Sequence, residues 1–203
     1  MKGLLFKPDM IKAIVEGRKT VTRRLDGLTE INKESEKWKI SYTCNDIPVS
    51  EDDGYWFSNE TTGETRFIKP RYRGIVYIKE AYYRYGYYKD RHFAPSLVKG
   101  VLFGTPERMP VSHRQVGWHL QSPLFMPAWA ARDFIKIIDV RVERLQEITE
   151  EDAKAEGISY EYFHRFPDLN DFAILNKLSN GYKLGFANLW DSINPKVKWD
   201  TNP

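Results

Sequence analysis

The spacing of hydrophobic residues predicts an amphipathic helix near the start of the chain. Pro8 and Asp9 are typical of a first helical turn. Apolar side chains then recur as they do on one buried helical face, at Met10, Ile11, Ile14 and Val15. Gly17 follows them, and a glycine in this position commonly ends a helix. The next segment, "KTVTRRL", is rich in β-branched residues, which predicts a strand.

Alternating apolar and polar residues predict further strands. Residues 54–69, "GYWFSNETTGETRFIK", have the pattern of a hairpin with Asn, Gly and Thr at its tip. Residues 73–85 carry apolar side chains on both faces, which predicts a central strand with a partly buried Glu80. Residues 132–145 predict a long strand with one apolar face, formed by Phe134, Ile138, Val140 and Val142.

Two helices are predicted in the last third of the chain. Thr149 and Asp152 have the spacing of a helix start, and the helix then runs through Glu156 to Gly157. A final amphipathic helix is predicted at 182–193, with Leu184, Phe186, Leu189, Trp190 and Ile193 as its apolar positions. Because the strands do not alternate regularly with helices, the pattern favours an α+β fold built on a small barrel or curved sheet.

Length and composition favour one elaborated domain. The chain has 203 residues, of which 41% are hydrophobic, and this is enough for a substantial core. We therefore predict a single domain over residues 1–203, with large insertions at about 26–70 and 86–125. The second insertion is aromatic and poorly periodic, which predicts mostly loop.

The cysteine and histidine content bears on compartment and cofactors. A single cysteine, Cys44, excludes an internal disulfide and a cysteine-based zinc site, so we expect a cytoplasmic protein. No run approaches the roughly 20 apolar residues of a membrane span, so we expect no membrane partner. We expect no metal and no cofactor, because metal-ligand spacing is lacking among the four histidines, His92, His113, His119 and His164.

Positive charge is concentrated near the N-terminus. The net charge is only +3, yet residues 1–24 hold seven cations and two anions. Several of these cations lie in "EGRKTVTRRL", residues 16–25, which we call the basic turn. Such a cluster can hold a phosphate or carboxylate, and a desolvated Lys19 can act as a base toward Thr22. Residues three apart on a regular strand face opposite ways, so Lys19 and Thr22 converge only if the chain turns or bulges there. The alternative is a solvated, charged strand edge, which is a common protection against aggregation.

Four ordered blocks of the sequence resemble a known family. They are "LLFKPDMIKAIVEGRKTVTRRL", "IVYIKEAYY", "MPAWAARDFIKIIDVRVERLQEITEEDAKAEGI" and "FANLWDSINPK". Together they are similar to the ASCH domain family, in the longer form often found in phage and prophage genomes. ASCH domains belong to the PUA-like superfamily of small β-barrels. The resemblance therefore implies a PUA-like β-barrel with flanking helices and large loop or hairpin insertions.

The resemblance also implies an RNA-related role. Some small bacterial members are amidohydrolases that remove the acetyl group from N4-acetylcytidine. Carried over by motif, the catalytic residues of that enzyme fall on Lys19, Thr22 and Glu156. Lys19 would accept a proton from Thr22 or from a water, and Glu156 would return a proton to the departing cytosine nitrogen.

The remaining candidate site residues would bind the ligand. Arginines of the basic turn would anchor it or steady an oxyanion; they are Arg18, Arg23 and Arg24. We expect Glu80 to line the same pocket and to pair with Lys19 or one of these arginines, with a structural ion pair as the alternative. Tyr82 and Trp118 are candidates for stacking on bases.

Three functional hypotheses follow. The first is a hydrolase of an acylated nucleoside, which rests on Lys19, Thr22 and Glu156. The second is a non-catalytic module that binds RNA or a modified nucleoside through the basic turn and the aromatic segments. The third is a ribonuclease, for which the histidines offer an acid and a base without a recognisable pairing.

Overall fold

The computed structural model describes residues 1–41, 43–44, 47–48, 54–95, 100–104, 112, 114–158 and 181–203. The helices in these ranges are α1 (Pro8–Val15), α2 (Glu150–Ala155) and α3 (Gly181–Ile193). The strands are β1 (Gly3–Leu5), β2 (Trp38–Ser41), β3 (Thr43–Cys44), β4 (Ile47–Pro48), β5 (Tyr55–Asn59), β6 (Thr65–Ile68), β7 (Gly74–Lys79), β8 (Tyr82–Lys89), β9 (His92–Pro95), β10 (Val101–Leu102), β11 (Gly117–Gln121) and β12 (Phe134–Ile137).

These elements confirm the predicted α+β class. The chain divides into two compact units, the first made of residues 1–15 and 72–138 and the second of residues 16–71 and 139–203. The predicted single domain stays a prediction. The strands of the described ranges form four separate sheets, and none of these sheets closes into a barrel. No helix in the same ranges is long and apolar enough to cross a membrane.

The first unit has a three-stranded sheet in the order β1-β7-β12. β7 is its central strand, as the sequence predicted, with β1 parallel and β12 antiparallel to it. Helix α1 packs on this sheet through Ile11, Met10 and Ile14, against core residues that include Val76 and Ile78. Val15 was predicted on the same buried face but is exposed, because it is the last helical residue and no further turn shields it.

The predicted strand 73–85 is two strands. It is interrupted at residues 80–81, after which β8 becomes the centre of a second sheet with β9, β10 and β11 as its partners. Parts of the segment predicted as mostly loop are therefore strands. Gly86 permits this arrangement, because a Cβ there would lie 2.3 Å from the backbone oxygen of Ala94 on β9.

The long strand predicted at 132–145 is wrong. β12 ends at Ile137, and after residue 138 the chain passes into the second unit. The buried face of β12 is also the opposite one: Ile135 and Ile137 pack on the core, whereas Phe134 and Ile138 are exposed. As an edge strand, β12 needs to cover the core with only one face, and its register on β7 selects the odd-numbered residues.

The second unit contains the predicted hairpin. β5 and β6 are its strands, β2 pairs with the other edge of β5, and β3 pairs separately with β4. At the tip, Asn59 Oδ1 accepts hydrogen bonds from the backbone N–H groups of Thr61 and Thr62. The core of this sheet is formed by Ile31, Trp38, Tyr55 and Phe57.

The two late helices of the second unit are confirmed. Thr149 caps α2 by accepting a hydrogen bond of 3.0 Å from the backbone N–H of Asp152. The Glu150 carboxylate in turn accepts from the first backbone N–H groups of α3, at Tyr182 and Lys183. α2 and α3 pack together, and the buried face of α3 includes three of its predicted positions, Phe186, Leu189 and Trp190.

Candidate catalytic and ligand-binding site

The basic turn is not the predicted strand. Gly17 has the positive φ of +74° that ends the helix region, but only an isolated bridge between Lys19 and Glu156 follows. The backbone N–H groups of Thr20 and Val21 both donate to the carbonyl of Ala155, at 2.8 and 3.0 Å. A single carbonyl at the end of α2 thus takes both donors, and this anchors the turn without a strand ladder.

Lys19 and Glu156 form a buried ion pair. Only 5% of Lys19 and 4% of Glu156 are exposed, and Lys19 Nζ lies 2.5 Å from Glu156 Oε2. Nζ also donates to the backbone oxygens of Val21, at 2.9 Å, and of Glu156, at 2.8 Å. These three acceptors match the three hydrogens of an ammonium group. Two of the three residues predicted to be catalytic, 137 positions apart, are therefore in direct contact.

Burial changes the acid–base behaviour of this pair. Desolvation lowers the pKa of Lys19 below its ordinary value of 10.5, and the Glu156 carboxylate opposes this effect. The positive charges of Arg24 and Arg23 lower the same pKa further. Perturbed lysines of this kind are more frequent at functional sites than elsewhere, although structural ion pairs also produce them.

Arg23 binds the protein's own carboxylates. Its guanidinium pairs with Glu143 at 2.9 Å, Asp152 at 3.2 Å and Glu156 at 3.3 Å. It also lies over the ring of Phe186, while its Nε is buried and has no hydrogen-bond partner among the described residues. The ligand-binding role predicted for Arg23 therefore competes with a structural one: it holds the carboxylate of Glu156 from the side opposite Lys19.

Two of the three acidic partners of Arg23, Glu143 and Asp152, were missed as site residues in the sequence. Arg141 extends the network, because it pairs with Glu143 and, at 3.4 Å, with Asp152. These residues lie more than 100 positions from Arg23, and no spacing pattern connects them to the basic turn. Asp152 carried a signal only for its part in the helix start.

Thr22, Arg18 and Arg24 are exposed. None of the three hydrogen bonds of Lys19 Nζ goes to Thr22, so the structure does not join the Thr22 hydroxyl to the buried pair. Arg18 pairs with Glu16 at 2.5 Å. The catalytic role of Thr22 and the ligand-binding roles of these two arginines stay predictions.

Glu80 has a different partner from the one expected. Its carboxylate accepts two hydrogen bonds from Arg132, at 2.8 and 2.7 Å, rather than pairing with Lys19 or an arginine of the basic turn. The predicted partial burial is confirmed, because 11% of the Glu80 side chain is exposed. Arg132 is 53% exposed and lies over the ring of Phe103. The geometry is that of a forked arginine–carboxylate pair.

The Arg132–Glu80 pair predicts a moderate effect on stability. Arg132→Ala is expected to lower the free energy of unfolding by about 1 kcal/mol, because Glu80 loses its partner while solvent screens part of the charge. Urea unfolding would measure the change. Lys33→Ala is the control, since the Lys33–Glu30 pair is exposed on both sides and its loss should change little. Equal values for the two variants would contradict the expectation.

The two aromatic candidates differ in accessibility. Tyr82 is buried in a cluster with Met126 and Ala130, so little of its ring remains for a ligand. Trp118 is half-buried and meets Tyr85 edge to face, with ring centroids 5.4 Å apart and an interplanar angle of 71°. The ring of Trp118 is thus accessible for the predicted stacking on a base, whereas Tyr82 is a core residue.

The histidines do not assemble a further site in the ranges described. His119 is buried and its Nε2 lies 2.9 Å from the backbone oxygen of Gln115, whereas His92 is exposed. His113 and His164 lie outside the described residues. Among the described side chains, no group of three or more His, Cys, Asp or Glu residues is arranged to hold a metal ion.

The family resemblance of the four sequence blocks has no independent support from comparisons. In comparisons with known proteins, no family model, no curated protein and no solved structure matches this chain.

Proposed function

We propose that this chain is an ASCH-type protein of the PUA-like superfamily that binds RNA or a modified nucleoside beside the basic turn and hydrolyses an N4-acylated cytidine there. The observation that carries the proposal is the buried pair of Lys19 and Glu156. Both residues occupy the motif positions implied by the family resemblance, and burial lowers the pKa of the lysine. A barrel of the PUA type is part of the same proposal.

The pair provides a base and an acid in one contact. Desolvation lowers the pKa of Lys19 and so favours its neutral amine, and the Lys19 proton passes to Glu156 across 2.5 Å at the start of the reaction. The amine then accepts a proton from the attacking oxygen, which belongs to a water that Thr22 holds or to Thr22 itself. In the second case a water then hydrolyses the acetyl–threonine ester. Glu156 gives its proton to the departing cytosine nitrogen. The balance is one water consumed, with cytidine and acetate formed.

The arginines have separate tasks in this proposal. Arg23 fixes the Glu156 carboxylate from the side opposite Lys19, with Nη1 at 3.3 Å from Oε1. Arg18 and Arg24 are exposed and therefore meet the ligand, either at a phosphate or at the oxygen of the acyl group. Productive attack requires Thr22 and the substrate to approach the buried pair, so substrate binding accompanies a local rearrangement of the turn.

Threonine substitutions in the basic turn test the proposal without disturbing the core. Thr22→Ala is expected to lower the rate of N4-acetylcytidine hydrolysis by at least about 100-fold, because it removes the hydroxyl that attacks or holds the water. Thr20→Ala is the matched control: Thr20 is also exposed, and its backbone hydrogen bond to Ala155 does not depend on the side chain. Chromatographic conversion to cytidine is the measurement. Equal rates for Thr22→Ala and the parent would refute the role of Thr22.

A second candidate function is RNA binding without turnover. The three hydrogen bonds of Lys19 favour it. They use every ammonium hydrogen within the protein, as expected of a lysine with a purely structural role. This function predicts RNA affinity that falls steeply with salt concentration and no cytidine released from N4-acetylcytidine.

A further inference from the structure

The sheet around β8 has an aromatic face. Side chains alternate along a strand and directly paired residues share a face, so the odd-numbered residues of β8 lie together with their partners on β11. Trp118 is paired with Tyr85, and Leu120 with Tyr83. We call this set the tyrosine face; it comprises Tyr83, Tyr85, Tyr87, Trp118 and Leu120.

The tyrosine face is accessible. None of its five residues is buried: Leu120 is 54% exposed, Tyr87 is 36% exposed and the others are half-buried. The opposite face of the same sheet is covered, since Tyr82 packs against Met126 and Ala130, and Tyr88 meets Phe93 and His119. The two faces therefore differ in role, and only one of them supports the core.

The strands of this sheet carry cationic side chains and no carboxylates. Strands β8, β9, β10 and β11 contain no Asp or Glu, whereas Arg84, Lys89, His92 and His119 lie on them. Lys89 is odd-numbered and thus shares the tyrosine face, opposite His92. Arg84 lies on the covered side, where its guanidinium is over the rings of Phe93 and Trp129. Flat aromatic rings beside a lysine, without a carboxylate on the strands, complement a polyanion that carries exposed bases.

We propose that the tyrosine face binds single-stranded RNA, whose bases stack on Tyr85, Tyr87 and Trp118 while Lys89 contacts a phosphate. RNA as the partner rests on the proposed function; the face itself belongs to the unit of residues 72–138 and not to the unit of the basic turn. Stacking requires unpaired bases, so duplex RNA binds more weakly. Stacking is also tolerant of base identity, so the face adds affinity with little sequence preference.

Fluorescence anisotropy with a labelled single-stranded RNA of about ten nucleotides tests the proposal. Tyr87→Leu is expected to weaken binding about tenfold, because leucine keeps an apolar surface but cannot stack on a base. Tyr87→Phe keeps the ring and should bind like the parent. Phe67→Leu is the control for the loss of an exposed aromatic elsewhere, since Phe67 lies on the hairpin of the second unit. Lys89→Ala should make the salt dependence of binding shallower.

Three results would overturn the proposal. They are equal affinity of Tyr87→Leu and the parent, equal binding of duplex and single-stranded RNA, and dimerisation that Tyr87→Leu abolishes in a protein without RNA affinity. Free N4-acetylcytidine separates this inference from the proposed hydrolysis. Tyr87→Leu should hydrolyse the nucleoside at the parent rate. If the parent protein hydrolyses no N4-acetylcytidine but Tyr87→Leu still weakens RNA binding, the hydrolysis proposal fails and the RNA-binding role of the tyrosine face is supported.

Discussion

Replacement of Lys19 by alanine is expected to lower the free energy of unfolding by about 3–5 kcal/mol, because the buried carboxylate of Glu156 loses its lysine partner. Among the described residues, the Glu156 carboxylate would keep the guanidinium of Arg23, at 3.3 Å, as its one charged partner. The backbone oxygens of Val21 and Glu156 would lose the donor that satisfies them. The cost arises from desolvated groups left without partners rather than from the lost attraction itself. Urea unfolding of the parent and the variant would measure it.

A double substitution separates the pair's role in stability from its role in hydrolysis. Lys19→Met combined with Glu156→Leu removes both charges, so it should cost clearly less than the sum of the two single substitutions. The same double variant should be unable to hydrolyse N4-acetylcytidine. Lys33→Ala, at an exposed pair, is the control for loss of a lysine. A Lys19→Ala effect no larger than that of Lys33→Ala would contradict a buried pair.

Gly86→Ala is expected to destabilise the first unit by more than about 4 kcal/mol, an effect at the extreme end for a single substitution. The added Cβ would lie 2.3 Å from the backbone oxygen of Ala94 and 3.0 Å from the Cα of Pro95. Both atoms belong to the backbone of β9, so no side-chain rotation relieves the contact. β9 would have to separate from β8, and the rings of Tyr88 and Phe93 would lose their packing.

Gly181→Ala is the matched control for Gly86→Ala. Gly181 begins α3, and a Cβ built there meets no described residue within 4 Å. Alanine also favours the helix over glycine, so the stability should stay the same or rise slightly. Circular dichroism during urea unfolding would compare the two variants. Similar transitions for both would show that β9 does not approach β8 as closely as described.

Elements with local signals could be predicted from the sequence. The cap at Thr149, the hairpin with Asn59 at its tip and the final helix depend on residues within a few positions of one another. The extent of strands could not be predicted in this way. The basic turn is rich in β-branched residues, yet its one β-bridge in the described ranges joins Lys19 to Glu156. A strand also needs a partner strand, and here the backbone N–H groups of Thr20 and Val21 donate to the carbonyl of Ala155 at the end of α2.

For the candidate site, too, long-range contacts could not be predicted from local patterns. The ASCH resemblance implied that Lys19 and Glu156 belong to one catalytic site, but their direct contact was not predicted, since residues 137 positions apart share no local pattern. The pairing of Glu80 with Arg132 and of Arg23 with Glu143 could not be predicted, because long-range ion pairs leave no spacing in the sequence. The sequence indicated an ion pair for Glu80, while its partner was set by the fold.

The most direct test of the proposed hydrolysis is the incubation of the purified parent protein with N4-acetylcytidine, with cytidine and acetate both quantified. If the protein is this hydrolase, the two products form in equal amounts at a rate proportional to the protein concentration, and the Lys19→Met, Glu156→Leu double variant forms neither. A folded parent protein that leaves N4-acetylcytidine intact would contradict the amidohydrolase proposal and favour RNA binding without turnover.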